Sequence, residues 1–257
     1  MIKAIFFDID GTLVSFETHR IPPSARNAIK GLQQKGIKIF VATGRHTSAI
    51  NNLEDIRFDG YISINGGYCT VENNKCIYKN HIPKSDIEAL VDFQKKNPFP
   101  CLIMEEEEMF INYHNRDVDH MLKMLDFPKI KVRALRESLH SDVLQVVSFF
   151  TEDREKDIMA ILPGCESTRW YPLFTDIIPQ GSHKGVGMDK ILAYYNILPD
   201  ETMAFGDGGN DMTMLRQAGT GIAMGNAEDK VKAIADYVTD TVDAHGIYKA
   251  LKNFGVL

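Results

Sequence analysis

Two aspartates separated by one residue stand out first, in Asp8-Ile9-Asp10-Gly11-Thr12. They follow Ala4–Phe7, an apolar run of the kind found in strands buried on both faces. The chain then turns at Gly11, so both carboxylates stand where a strand ends. In an open α/β sheet, ligands bind in the crevice at that end. Two neighbouring carboxylates there are costly unless a cation compensates them. The other Asp-x-Asp triplet, Asp117-Val118-Asp119, lies in a polar stretch of helical character and has no such position.

Three further groups suit the same chemistry. Thr43-Gly44-Arg45 closes the apolar segment Ile37–Ala42 and offers a hydroxyl and turn N–H groups to an anionic oxygen. Lys184, in Gly181-Ser182-His183-Lys184-Gly185, opens a helical stretch, where a cation opposes the helix dipole and so asks for an anion. Gly206-Asp207-Gly208-Gly209-Asn210-Asp211 follows the segment Thr202–Phe205. Its glycines let backbone approach a ligand. Its acidity suits Mg²⁺, which takes oxygen ligands. Singly, each group has a plainer reading: turn-forming aspartates, an ordinary Thr-Gly turn, a surface lysine, a glycine turn. Jointly they supply a nucleophile, a hydroxyl, a cation and metal carboxylates at one sheet edge.

The elements that must position them alternate strand and helix. Pro23–Gln34 reads as a helix with Ala25, Ala28, Ile29 and Leu32 on one stripe and Gly36 as a stop. Thr47–Leu53 reads as helical, Tyr61–Ile64 as a strand, and Tyr68–Val71 with Lys75–Tyr78 as a hairpin around Asn73-Asn74. Toward the end of the chain, Val186–Tyr195, Asp211–Ala218 and Glu228–Ala235 read as helices, and Thr202–Phe205 and Gly221–Met224 as strands. Short strand–helix–strand connections imply parallel strands with right-handed crossovers. The fold class expected is α/β: a Rossmann-like parallel sheet core with helices on both faces.

The middle of the chain differs. Helical stretches at Lys84–Lys95 and Glu152–Leu162 sit among strands at Cys101–Glu105, Met109–Tyr113, Val143–Phe149, Cys165–Tyr171 and Phe174–Ile178. This is expected to be an inserted α+β domain over residues 82–179, with residues 1–81 and 180–257 forming the core. The acidic run Glu105–Glu108 reads as a solvated turn rather than a metal site, because adjacent carboxylates repel one another and a phosphate.

Composition bounds the function classes. The 257 residues are 44% hydrophobic and 25% charged with a net charge of −6, ordinary for a globular protein and without the basic balance of a nucleic-acid binder. No segment reaches the roughly 18 apolar residues of a membrane span. Cys69, Cys76, Cys101 and Cys165 have no zinc-ligand spacing and read as free thiols of a reducing compartment. The expected location is the cytoplasm, and no protein partner is evident.

These motifs resemble, in order, those of the haloacid dehalogenase (HAD) superfamily of phosphohydrolases. The likeness frames residues 8–211, and the long insert between the second and third motifs is similar to the Cof-like subgroup with its α/β cap. The stretches Ile62–Gly67 and Leu173–Gly185 strengthen it. By this resemblance Asp8 attacks phosphorus and Asp10 serves as general acid and then base. Asp8, Asp207 and the main-chain carbonyl of Asp10 bind Mg²⁺, which leaves the Asp10 carboxyl free. Ile9, Thr43, Gly44, Lys184 and Asn210 bind phosphate, with Gly208 and Asp211 in support. Arg45, Asn65 and Asp176 are candidates for substrate contact, although Arg45 could equally face solvent, and of Arg169, Trp170 and Tyr171 at least one belongs to a core. The implied substrate is a small phosphorylated metabolite, a sugar phosphate as a class. Phosphotransfer to a sugar hydroxyl, as in a mutase, and a non-catalytic sugar-phosphate sensor remain open.

Overall fold

The computed structural model describes all 257 residues. Along the chain come β1 (Ala4–Phe7), α1 (Pro23–Gln34), β2 (Lys38–Ala42), β3 (Gly60–Ser63), β4 (Tyr68–Val71) and β5 (Lys75–Lys79). Then follow α2 (Lys84–Gln94), β6 (Cys101–Met104), β7 (Met109–Ile111), α3 (Arg116–Met124), β8 (Lys131–Val132), β9 (Gln145–Ser148), α4 (Glu155–Met159), β10 (Cys165–Tyr171) and β11 (Phe174–Pro179). The chain ends with α5 (Lys184–Tyr195), β12 (Thr202–Gly206), α6 (Met212–Gln217), β13 (Thr220–Ala223), α7 (Asp229–Lys232), β14 (Tyr237–Val238) and α8 (Gly246–Asn253).

Contacts divide the chain into two compact units. One holds residues 1–45, 50–78 and 183–257; the other holds 46–49 and 79–182. The first is built on an eight-stranded sheet of order β14-β13-β12-β1-β2-β3-β4-β5. Its strands from β14 to β3 are parallel, and β4 joins antiparallel to β3.

The period-2 alternation of β1 explains the two-sided core. Ile5 and Phe7 join Val41, Phe205 and the buried faces of α1 and α8 on one side. Ala4 and Phe6 join Phe40, Ala204 and residues of α5 and α6 on the other. Phe6 stacks on Phe40 at 4.9 Å and Phe7 on Phe205 at 5.0 Å, so neighbouring strands are locked through aromatic pairs. Truncating a fully buried Phe of this kind to Ala costs about 3–5 kcal/mol. The register places Phe7 beside both Val41 and Phe205, so the loops after β1, β2 and β12 leave the sheet side by side.

The second unit has a six-stranded sheet, β10-β11-β9-β6-β7-β8, antiparallel except for the β7–β8 pair. Its core gathers Ile87 and Leu90 of α2, Cys101 and Ile103 of β6, Val146 of β9 and Ile177 of β11. No helix in the molecule is long and apolar enough to cross a membrane.

Several elements are shorter than the sequence suggests. Thr47–Leu53 gives one 3₁₀ turn at Thr47–Ala49, because residues 46–49 pack with the second unit and the chain rejoins the first at Ile50. Glu152–Leu162 becomes a 3₁₀ turn followed by α4, and Pro163 disfavours helical geometry at Leu162. Glu228–Ala235 shrinks to α7, with Glu228 as its N-cap. Asp211–Ala218 becomes α6, preceded by a 3₁₀ turn over Gly209–Asp211.

Candidate active site

Asp8 is the first residue past β1 and still donates its N–H to Phe205 O at 3.0 Å, so its backbone is fixed by the sheet. The following loop coils back on itself. Leu13 N–H bonds Asp8 O at 3.2 Å and Val14 N–H bonds Ile9 O at 2.8 Å. Gly11 has φ +84°, and a Cβ there would collide with Asp207 Oδ2, so only glycine permits the approach.

Lys184 is the first residue of α5 and is fully buried. Its ammonium lies 2.5 Å from Asp8 Oδ1 and 2.6 Å from Asp211 Oδ1. Burial alone would lower its pKa, but the charges of Asp211 and Asp8 outweigh burial and hold it above the ordinary amine range. Asp211 is a brace. Its second oxygen accepts the N–H groups of Asp207 at 2.9 Å and Gly208 at 2.8 Å, which shapes the glycine loop.

Asp207 accepts the Thr12 hydroxyl on Oδ1 at 2.9 Å and the Asn226 amide on Oδ2 at 3.2 Å. Burial and then the neighbouring charge of Asp211 push its carboxyl up to about 7, although Thr12 and Lys184 act against the shift. Burial also raises Asp8 well above the usual carboxylate range; Lys184 opposes this, while Asp211, Asp207 and Asp10 add to it.

The loops after β2 and β3 are laced together. Thr43 N–H bonds Ile62 O at 2.7 Å, Ile64 N–H bonds Arg45 O at 3.1 Å, and Asn65 N–H bonds Thr43 O at 3.0 Å. The Thr43 hydroxyl accepts the Arg45 N–H at 3.1 Å. Asn210 donates its amide to Asn65 Oδ1 at 2.9 Å, which ties the glycine loop to the β3 loop. Gly66, at φ +93°, lies against the His183 carbonyl where a Cβ would clash. That contact sets the β3 loop beside the start of α5, and with it Lys184.

Arg45 does not face solvent. It is 4% exposed and grips Asp10 with Nε to Oδ2 and Nη2 to Oδ1, both at 2.7 Å. The Asp10 carboxyl is therefore engaged rather than free, because a planar guanidinium matches both carboxylate oxygens at once. Asp176 belongs to the second unit and is buried on β11, beside Val147 of β9. On β10, Arg169 is committed to Glu155 at 2.7 Å and to the carbonyls of Pro172 and Phe174, and Trp170 packs edge-on against Phe174.

One oxygen each from Asp8, Asp207 and Asp211 lies within 4.8 Å of the others, a group able to hold a metal ion. Asp211 stands in this group where the motif likeness places Asp10. Its carboxylate oxygens, however, already serve Lys184 and two backbone N–H groups. Asp8 and Asp207 are left facing each other. Counting Asp8, Asp10, Asp207 and Asp211 against Lys184 and Arg45, four carboxylates meet two cations. With all four ionised the deficit is two positive charges, consistent with the raised carboxyls of Asp8 and Asp207 in the metal-free fold, and every donor is oxygen. Such a set fits a hard divalent cation.

Asn226 and Thr12 carry no role in the motif reading. Asn226 follows Met224-Gly225 directly after β13, the strand beside β12. Its place at the end of a further parallel strand was the available signal.

Residues 5–251 match the model of the haloacid dehalogenase-like hydrolase family. The sugar phosphatase BT4131, of HAD subclass IIB, superposes with a TM-score of 0.94 and 45% sequence identity, covering 99% of this chain and 100% of that one. YkrA of Bacillus subtilis is 35% identical over 258 residues, covering 99% of this chain and 98% of its own length. The 5-amino-6-(5-phospho-D-ribitylamino)uracil phosphatase YitU of the same organism is 28% identical over 262 residues, covering 97% of this chain and 96% of its own length. The chain belongs to the haloacid dehalogenase-like hydrolases and is one of their phosphatases.

Proposed function

We propose that this phosphatase is Mg²⁺-dependent and hydrolyses small phosphomonoesters, sugar phosphates above all, through an aspartyl-phosphate on Asp8. The observation that carries this reading is the close approach of buried Asp8 and half-buried Asp207, with the Lys184 ammonium bonded to Asp8 but shared with Asp211. A phosphate is repelled by this group of carboxylates, which Lys184 and Arg45 balance only in part. Asp8, Asp207 and the Asp10 carbonyl would hold Mg²⁺, which would supply the missing positive charge for an incoming phosphoryl group.

The chain's own residues account for the remaining steps. An oxygen of Asp8 bonds to phosphorus as the bond to the leaving oxygen breaks, and that oxygen takes the proton of the Asp10 carboxyl. Asp10, now a carboxylate, then takes a proton from a water whose oxygen bonds to phosphorus. The Asp8–phosphorus bond breaks and inorganic phosphate leaves. Lys184, the Thr43 hydroxyl, the N–H groups of Ile9 and Gly44, and the Asn210 amide stabilise the phosphoryl oxygens, the main task in phosphoryl transfer. Asn65 holds Asn210 in place for this. Arg45, forked onto both oxygens of Asp10, orients that carboxyl.

We assign leaving-group choice to the second unit, as a cap, with Asp176 as its candidate residue. The sugar phosphatase BT4131 and the phosphoribitylaminouracil phosphatase YitU define the two substrate types to try. The four free cysteines support a reducing compartment, which we take to be the cytoplasm.

The test is phosphate release from hexose, pentose and ribityl phosphates, with Mg²⁺ and with excess chelator, for the wild type and Asp8→Asn. Metal-dependent turnover absent from the variant supports the reading. Turnover that persists in chelator removes the metal from it.

A further inference from the structure

Asn226 is the neutral end of an otherwise charged network. Its Nδ2 donates to the Gly11 carbonyl at 2.8 Å and to Asp207 Oδ2 at 3.2 Å. Its Oδ1 accepts the Val242 N–H at 3.2 Å. One side chain thus joins the loop after β13 to the loop after β1, to the glycine loop and to the segment before α8. Thr12 takes the other oxygen of Asp207, and Gly11 presses against Oδ2.

The chemical type of the donor matters. Asp207 is fixed at both oxygens by uncharged groups, a hydroxyl and an amide. Such donors orient a carboxylate without cancelling its charge. A lysine or arginine in the place of Asn226 would form an ion pair and remove the attraction for a cation. Lys184 and Arg45, the cations of this region, are spent on Asp8, Asp211 and Asp10. Among the four aspartates, Asp207 alone has no lysine or arginine as a hydrogen-bond partner.

We infer that Asn226 is a positioning residue that sets the affinity of the site for its divalent cation, by holding Asp207 aligned through a neutral donor that forms no ion pair with it. The inference rests on the reading of Asp207 as a metal ligand. Partners that orient a ligating group typically change metal affinity 10–100-fold, on the order of what is expected here.

The experiment is a calorimetric titration of Mg²⁺ into the full-length protein, wild type against Asn226→Ala, beside melting curves in excess chelator. Asn226→Ser is carried in parallel, because its hydroxyl cannot span Gly11 and Asp207 but replaces the amide with a small polar group if the alanine variant does not fold. The expected result is an Mg²⁺ dissociation constant raised about tenfold or more, with the Mg²⁺ concentration for half-maximal turnover raised in proportion. An unchanged dissociation constant overturns the inference, even where melting in chelator falls, since Asn226 would then brace the loops and nothing more. Absence of Mg²⁺ binding by the wild type overturns the metal reading itself, a result distinct from equal binding by both proteins.

Discussion

The Glu105–Glu108 turn of the second unit and the Asp8–Asp207–Asp211 group at the end of β1 are both dense in carboxylates, yet their surroundings differ in kind. At the turn, Arg133 reaches Glu108 at 2.7 Å and lies 3.9 Å from Glu105, Lys131 holds Glu108 at 3.0 Å, and Lys79 holds Glu106 at 2.7 Å. The side chains of Glu106 and Glu108 are 34% and 40% exposed, so water shares the load. At the end of β1, buried Asp8 and Asp211 share Lys184, and half-buried Asp207 beside them has no cation of its own. The first cluster is balanced by the protein's own cations and solvent and asks for no ligand. The second is short of positive charge where two of its three carboxylates are shut off from water, which is the condition for holding a cation.

The largest effects should come from breaking the second cluster. Asp8→Asn removes the proposed nucleophile, and turnover should fall on the order of 10⁴-fold or more in steady-state assays. The same change relieves crowding, so melting of the metal-free protein should not fall. Lys184→Met strips the shared cation from two buried carboxylates. Breaking a buried pair in this way costs about 3–5 kcal/mol, to be read from denaturant unfolding.

A smaller effect follows from Asp207. Burial and the neighbouring charge of Asp211 push its carboxyl up to about 7 in the metal-free fold, well above the ordinary carboxylate range. A group whose pKa is raised by folding binds its proton more tightly in the folded chain, so its contribution is intact below about pH 4 and is lost as pH rises through about 7. Melting in chelator should therefore fall between about pH 5 and pH 8, and stabilisation by Mg²⁺ should grow over the same interval. Asp207→Asn should flatten that slope. Smallest of all, Glu108→Gln in the balanced cluster should leave turnover, Mg²⁺ affinity and the pH slope unchanged. A marked loss of metal affinity in that variant would erase the distinction between the two clusters.

Much of the catalytic scaffold was legible because it is local. The apolar run of β1 and the stripe Ala25, Ala28, Ile29 and Leu32 of α1 depend on periodicities of two and 3.6, which the chain writes directly. Asp8, Thr43 and Asp207 each follow a strand, and parallel registration then brings them together. What escaped depends on distant partners. The burial of Arg45 follows from Asp10, thirty-five positions away, and its side chain alone does not announce it. Asn226 gains meaning only once β13 is known to lie beside β12. Thr47–Leu53 has helical composition, but residues 46–49 join the other unit, where His46 bonds the Glu105 carbonyl at 2.9 Å. The two-residue β14 is set by pairing with β13 more than by pattern, whereas α8 carries a readable stripe of Ile247, Ala250 and Leu251.

The most direct test of the account is a rapid acid quench during a single turnover of a sugar phosphate with Mg²⁺, followed by mass spectrometry of the peptide that carries Asp8. The account requires one phosphoryl group on Asp8 at early times, decaying as inorganic phosphate appears, and neither signal in Asp8→Asn. A phosphoryl group on another residue, or phosphate release by Asp8→Asn at the wild-type rate, would contradict it.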